Sequence, residues 1–257
     1  MILLITSCED DTANDDSLGF SPGANNGGSS GGDGIGGSLN RFTTSGDHLY
    51  VLNETSLIPF DISDRENPTR ENDIHLGVGI ETILVRGENI FVGTTTGMHI
   101  FDISIPSAPE LLSTYQHVLS CDPVAVSGDV AYVTLREGTG CGRLRINRMD
   151  VVDISNLKSP FEIRTIAMDH PHGLGVDGDN LFVTQGDFGI WHYDIANERN
   201  PRYIDVFSED ANAFDVIALN GVLTVTGKDG VRLFDYSDQQ SSITLLSKID
   251  YPQNGSN

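Results

Sequence analysis

The chain has 257 residues and a formal net charge of −22, with 37 Asp and Glu against 15 Lys and Arg. This balance argues against nucleic acid and anionic membrane surfaces as partners, because both are bound through clustered Lys and Arg. At this length roughly 70% of the unfolded surface can be buried, so folding is expected to need no metal or cofactor.

The first eight residues are an apolar run that ends in Ile5-Thr6-Ser7-Cys8. This ending resembles the lipobox of bacterial lipoproteins, which implies that Cys8 becomes the acylated first residue of the mature protein. The acidic run at residues 9–11 resembles the surface-export signal of Bacteroidota lipoproteins, which implies an outer-membrane protein facing the cell exterior. The alternative is an ordinary buried strand with an isolated cysteine.

Residues 9–38 contain nine glycines, many Ser, Asn and Asp, and no Lys or Arg. Such a composition predicts a flexible, acidic tether. Within it, Asp11-Thr12-Ala13 and Asp16-Ser17-Leu18 resemble the three-residue O-glycosylation sites of Bacteroidota exported proteins, which implies glycans on Thr12 and Ser17.

A repeated unit fills residues 39–251. Its best copy is the stretch from Gly87 to Thr114, with Ile90-Phe91-Val92 and Phe101-Asp102-Ile103-Ser104. The aspartate of the second motif recurs at steps of 41, 51, 41 and 41 residues: Asp61, Asp102, Asp153, Asp194 and Asp235. The steps place one ten-residue insertion in the third unit. Because the aspartate occurs in all five units, we expect it to accept backbone N–H bonds in a turn.

Each unit has four short β-branched and aromatic runs separated by turn signals, and no helical period. Sheets of this size bury both faces by packing around an axis, so the sequence predicts an all-β, five-bladed propeller of four-stranded antiparallel blades. A β-helix is the alternative, although its repeats are shorter. The expected blades span residues 39–77, 78–118, 119–168, 169–209 and 210–251 of a propeller domain at 39–257.

Ring closure stays open at this point. Blade one has its own inner strand and blade five its own outer strand, so closure would rest on side-chain packing alone, unless residues 35–40 pair with blade five.

The repeated motifs resemble the LVIVD repeat family, most closely at Ile90-Phe91-Val92 with Phe101-Asp102-Ile103-Ser104 and at Val151-Val152-Asp153-Ile154-Ser155. The resemblance covers residues 39–251. It implies a propeller of secreted or surface proteins, often lipoproteins, and no defined catalytic residues.

Three groups of residues are candidate sites on one propeller face. Cys121 and Cys141 lie in two loops expected on that face, and an oxidising compartment favours a disulfide between them over two free thiols. The insertion carries Arg136, Arg143, Arg145 and Arg148, which form either a partner-docking finger or internal ion pairs. His170 and His172, with Glu81 and Asp122, are the candidate ligands for calcium or a transition metal, against the alternative of solvated histidines.

These patterns predict a lipid-anchored, non-catalytic scaffold that binds other outer-membrane or surface proteins, as an accessory subunit of an outer-membrane complex. The competing class is a carbohydrate- or metal-binding module, or a glycan-processing enzyme, using the channel mouth near His172. No Ser-His-Asp, Cys-His or paired-carboxylate pattern supports catalysis.

Overall fold

The structure is a computed structural model that describes residues 39–117, 123–137, 146–208, 212–237 and 242–252. All regular structure in these residues is β-strand, in 21 strands numbered β1 to β21. Among the same residues there is no helix that could span a lipid bilayer.

The strands form five sheets in chain order. Blade one holds β1 (Phe42–Ser45), β2 (His48–Leu52), β3 (Ser56–Asp61), β4 (Thr69–Arg70) and β5 (Ile74–His75). Blade two holds β6 (Ile80–Arg86), β7 (Asn89–Thr94), β8 (Gly97–Asp102) and β9 (Glu110–Gln116). Blade three holds β10 (Val124–Ser127), β11 (Val130–Leu135), β12 (Arg148–Asp153) and β13 (Phe161–Ala167). Blade four holds β14 (Leu174–Asp177), β15 (Asn180–Thr184), β16 (Ile190–Asp194) and β17 (Arg202–Phe207). Blade five holds β18 (Ala213–Leu219), β19 (Val222–Gly227), β20 (Gly230–Asp235) and β21 (Thr244–Asp250).

Each blade is an antiparallel meander whose strands pair in chain order, and the five blades are arranged as a propeller. The predicted fold class is therefore confirmed, and the β-helix alternative is wrong because the strand pairs are antiparallel.

Two-residue turns join the first two strands of every blade. In blades one to four the first turn residue is a glycine with φ between +46° and +55°: Gly46, Gly87, Gly128 and Gly178. In blade five both turn residues have positive φ, at Asn220 and Gly221. The glycine turns match type II′ and the Asn-Gly turn matches type I′, the two turns whose twist suits a hairpin.

Blade one departs from the pattern because its outer strand is split into β4 and β5, which both pair with β3. Pro59 lies in the middle of β3. Its carbonyl accepts a hydrogen bond from the N–H of Glu71 at 3.0 Å, but a proline has no N–H to donate in return. The regular ladder is therefore interrupted at this point.

Four buried clusters join consecutive blades. They contain Tyr50 between blades one and two, Phe91 between two and three, Tyr132 between three and four, and Phe182 between four and five. Two of these aromatic residues also bond across the interface. The hydroxyl of Tyr50 donates to the carbonyl of Pro106 at 3.1 Å, and that of Tyr132 donates to the carbonyl of Glu198 at 2.9 Å.

The terminal blades differ from the middle ones in how their second strand is buried. In β11 of blade three every residue is buried, so both faces of that sheet are covered. Buried residues alternate with less buried ones in β2 and β19. Among the described residues, no buried hydrophobic cluster joins blade five to blade one.

Residues 35–40 were considered for ring closure, and the structure describes the end of this stretch at Asn40. The carbonyl of Asn40 accepts a hydrogen bond from the N–H of Ile83 at 2.9 Å, so residue 40 lies against blade two rather than blade five. Residues 35–38 lie outside the described part of the chain.

Candidate functional site

The five repeated aspartates are structural, as predicted. In each blade Oδ1 accepts the backbone N–H two residues further on, at 2.7–2.9 Å: Asp61 from Ser63, Asp102 from Ser104, Asp153 from Ser155, Asp194 from Ala196 and Asp235 from Ser237. In four of the five carboxyls the hydroxyl of the same serine, followed by this N–H, holds the pKa below its usual range, and at Asp194 the N–H of Ala196 is the main cause. The bond shapes the turn after the third strand.

His170 and His172 are held by backbone contacts at the entrance to blade four. The N–H of His170 donates to Oε1 of Gln185 at 3.0 Å, and the N–H of His172 donates to the carbonyl of Thr184 at 2.8 Å. From blade three, the hydroxyl of Thr134 donates to the carbonyl of His172 at 2.8 Å. Three fixed points therefore position the two imidazoles where blades three and four meet.

The two imidazoles converge on the space above Gly186. Their ring centroids are 4.7 Å apart, in an edge-to-face arrangement. A Cβ added to Gly186 would lie 3.2 Å from Nδ1 of His170 and 3.3 Å from Nε2 of His172. Nε2 of His172 is buried and has no hydrogen-bond partner. Even a Cβ at Gly186 would press on both imidazoles, so a glycine at this position lets the two rings approach each other.

Burial and neighbouring positive charge keep the imidazole of His172 neutral. Burial, followed by the positive charge of Arg136 and then by His170, lowers the pKa of His172 to about 3. Burial and Arg136 also lower the pKa of His170, while the carboxylates of Glu137 and Asp187 oppose that shift. A neutral imidazole can bind a metal or accept a hydrogen bond. The positive charge of Arg136, however, works against a bound cation.

Three of the four predicted metal ligands, Glu81, His170 and His172, lie in one region but do not form a metal-binding group. Arg136 interacts electrostatically with Glu81 and with both histidines, so these four side chains share one region. Asp122 lies outside the described residues. Within the described ranges, no group of three or more His, Cys, Asp or Glu could hold a metal ion.

Of the two described arginines of the insertion, Arg148 pairs with a carboxylate of its own chain and Arg136 is half-buried. Nε of Arg148 lies 2.8 Å from Oδ1 of Asp150, whose side chain is fully buried. The hydroxyl of Tyr115 donates to the other carboxylate oxygen of Asp150 at 3.3 Å, and burial raises the pKa of this carboxyl. Burial also lowers the pKa of Arg136. For Arg148 the geometry matches the alternative of an internal ion pair.

The other predicted sites fall on residues that the structure does not describe. These are Arg143 and Arg145, the cysteine pair Cys121 and Cys141, the lipidation site Cys8, and the glycosylation sites Thr12 and Ser17. Each of them stays a prediction.

Sequence reasoning missed an aromatic groove between the outer strands of blades three and four. The groove has a volume of about 470 Å³ and is lined by Arg164, Ile166, Ala167, Trp191, Tyr193, Pro201 and Tyr203. The ring of Tyr203, 48% exposed, stands edge-on to Trp191 and to Tyr193, with 5.7 Å between centroids in both pairs. The alternation of Trp191 and Tyr193 in β16 was a usable signal, because residues two apart share one face of a strand.

We call this feature the Trp191 groove. Its two walls come from different blades: Arg164 and Ile166 lie in β13 of blade three, whereas Trp191 and Tyr193 lie in β16 of blade four. Tyr203 reaches its position because it pairs directly with Tyr193 across strands β16 and β17. The groove therefore exists only when the two blades are packed together.

Because the pKa of His172 is low in the folded state, we expect the free energy of unfolding to fall in mild acid. Its pKa is depressed in the folded state relative to about 6.5 in the unfolded chain, so its contribution to stability is complete above pH 6.5 and is lost as the pH falls. Between pH 7 and pH 5 this loss should be about 1–2 kcal/mol. Urea unfolding should show the loss in the wild type and a smaller loss in His172→Gln.

The matched control is His75→Gln, because His75 is exposed in β5. This variant should keep the wild-type dependence on pH. An equal acid loss in the wild type and His172→Gln would show that the His172 ring titrates normally.

Two stretches match the LVIVD repeat family model: residues 81–117, which cover most of blade two, and residues 143–167, which cover the later strands of blade three. The match supports the repeat prediction in these blades. No curated protein matches the chain.

Solved propeller structures resemble the chain at low sequence identity. A functionally unknown protein from Desulfotomaculum acetoxidans is 11% identical with a TM-score of 0.67, over 85% of this chain and 70% of that one. A protein from Lactobacillus plantarum is 15% identical with a TM-score of 0.60, over 81% and 70%. A proposed 6-phosphogluconolactonase from Bacteroides fragilis is 12% identical with a TM-score of 0.58, over 80% and 64%. At such identities the likeness shows the fold alone, and what the chain shares with these proteins is the β-propeller architecture.

Proposed function

We propose that this propeller is a non-catalytic protein-interaction scaffold, lipid-anchored on the outer membrane and facing outward, where it serves as an accessory subunit of a membrane complex. The Trp191 groove is the observation that carries the proposal. Trp, Tyr and Arg are the residues that most often dominate binding energy at protein interfaces, and the groove combines all three.

The charge of the chain indicates the chemistry of the partner. With a net charge of −22, the protein attracts surfaces that carry Lys and Arg. We therefore expect a protein partner with a basic face and an apolar or aromatic segment that fills the Trp191 groove. Electrostatic attraction of this kind mainly speeds association, whereas the filled groove slows dissociation.

The proposed cellular address rests on the N-terminal residues. Cys8 follows an apolar run and precedes an acidic cluster, and the glycine-rich residues 9–38 separate it from blade one. A chain of this composition behaves as a flexible linker with a root-mean-square span of roughly 30 Å. Such a tether would let the propeller reach a partner that projects from the same membrane.

The first test removes the exposed ring of the groove. We expect Tyr203→Ser to weaken binding about tenfold or more, because an aromatic anchor at the centre of an interface contributes at least about 1–2 kcal/mol. The measurement is quantitative recovery of co-purifying proteins from native membranes in mild detergent, for the wild type and the variant at equal expression.

Phe161→Ser is the matched control, because Phe161 is an exposed aromatic residue of blade three (55% exposed) that does not line the groove. It should leave recovery unchanged. Purification of the wild type as a single protein, or equal recovery with Tyr203→Ser, would contradict docking at the groove.

The second test concerns the anchor. We expect Cys8→Ala to move the protein from the membrane fraction to the soluble fraction, because the chain then carries no acyl group. Fractionation and surface biotinylation of intact cells measure this change. Cys141→Ala serves as the control and should stay membrane-bound and labelled from outside. A membrane-bound Cys8→Ala protein would rule out lipidation at this residue.

A second candidate function is the binding of a small ligand or metal at the channel mouth. The convergence of His170 and His172 above Gly186 is the observation that favours it. A metal site at these imidazoles requires saturable Zn²⁺ binding that is lost in His172→Gln and kept in His75→Gln, despite the opposing charge of Arg136. Calorimetric titration of Zn²⁺ measures this, and the absence of saturable heat with the wild type would exclude the site.

A further inference from the structure

In the described part of the chain, one face of each terminal blade is largely apolar and only partly covered. On blade five this open face contains Ile217, Leu219, Val222, Thr224, Val231 and Leu233, which follow one another across paired strands. Leu219 and Val222 are 38% and 37% exposed. The opposite face of the same sheet, with Val216 and Leu223, is buried against blade four.

The open face of blade one contains Phe42, Leu49, Val51 and Phe60, again joined by strand pairing. Phe42 is 62% exposed. The opposite face, with Tyr50 and Leu57, is buried against blade two. Charged side chains of the same faces stand beside these residues, since Asp235 pairs with Val222 and Arg70 pairs with Phe60. An apolar centre with charged neighbours is the usual anatomy of a protein interface.

The repeat shows how one blade packs on the next. In each of the four interfaces an aromatic residue from the second strand of one blade packs in the same cluster as an aliphatic residue from the first strand of the following blade. The four pairs are Tyr50 with Ile83, Phe91 with Val124, Tyr132 with Leu174, and Phe182 with Val216.

The two open faces carry the equivalent pair of positions, but the small side chain stands at the aromatic position and the large one at the aliphatic position. The position of the aromatic residue in blade five is Thr224, one residue before Val225, as Tyr50 precedes Val51. The position of the aliphatic residue in blade one is Phe42, which pairs with Val51 as Ile83 pairs with Val92. A small residue on one face and a large one on the other conserve the total volume that a well-packed interface needs.

We propose that the open face of blade five packs against the open face of blade one of a second copy of this chain. Phe42 of one copy enters the hollow at Thr224 of the other, between Ile217 and Leu233, which flank Thr224 on the paired strands. The contact continues between molecules the face-to-face packing that joins the blades within one molecule.

A second copy fits the observations better than closure within one molecule. Phe42, Leu219 and Val222 are all exposed in the single chain, and no described buried hydrophobic cluster links blades five and one. Because the contact is head to tail, each copy offers one face of each kind. Such contacts generate closed rings or longer assemblies, depending on the rotation between copies.

The test uses the full chain with Cys8→Ser, so that lipid does not drive association, and two single variants. Phe42→Asp disables the blade-one face and Val222→Asp disables the blade-five face. Each should weaken self-association about 100-fold, because an aspartate buried without a partner disrupts an interface core. Sedimentation should therefore show the wild type as an assembly and each variant as a single copy.

Mixing the two variants is the decisive step. Each supplies the face that the other lacks, so the mixture should form a discrete one-to-one complex. Phe161→Asp is the control, an exposed aromatic residue outside both open faces, and it should associate like the wild type. In addition, Thr224→Phe should weaken association by overfilling the hollow, and Phe42→Val in the same chain should restore it.

The outcomes separate the alternatives. A single-copy wild type in which Phe42 and Val222 are shielded would show that the ring closes within one molecule, and this would overturn the proposal. A single-copy wild type with both residues accessible would also overturn it and would leave the Trp191 groove as the docking surface. Variants that fail to complement each other would rule out head-to-tail packing.

Discussion

The structure depends on one constraint: a four-stranded sheet with two apolar faces must cover both. In β11 of blade three the constraint is fully met, since alternate residues of the strand are buried against blade two and blade four. The aromatic residues Tyr50, Phe91, Tyr132 and Phe182 occupy equivalent positions and fill the four interfaces. Because each blade packs on its neighbours, the surfaces formed where two blades meet exist only while those blades are packed together.

Both candidate surfaces lie at such junctions. The histidine pair is held by Thr134 of blade three as well as by its own blade, and the Trp191 groove is built from β13 and β16 of adjacent blades. A buried charge at the junction of blades two and three is paired locally. Asp150, which is fully buried, is neutralised by Arg148 and accepts a hydrogen bond from Tyr115 of blade two. Arg148 therefore stabilises the fold by pairing with Asp150, and it is not available to bind a partner.

Much of this fold could be predicted from spacing alone. The 41-residue steps between aspartates located the five blades, and Gly46 and its equivalents marked the hairpins, because both signals are local and repeated. Features that depend on tertiary packing could not be foreseen in the same way. The break in the outer strand of blade one follows from Pro59, and the aromatic groove follows from the register that sets Tyr203 beside Tyr193. The sequence predicts the histidines and the Arg136 insertion on one propeller face, yet the low pKa values of both histidines come mainly from burial, which no linear spacing reveals.

In the described part of the chain, four interfaces cover the middle blades on both faces and leave one face of each terminal blade open. Hydroxyl-radical footprinting of dilute protein, at concentrations where sedimentation shows single copies, tests it directly with matched residues. Phe42 should be oxidised much faster than Phe91, and Leu219 much faster than Leu223, because the second residue of each pair is buried between blades. Equal protection of Phe42 and Phe91 would contradict the claim.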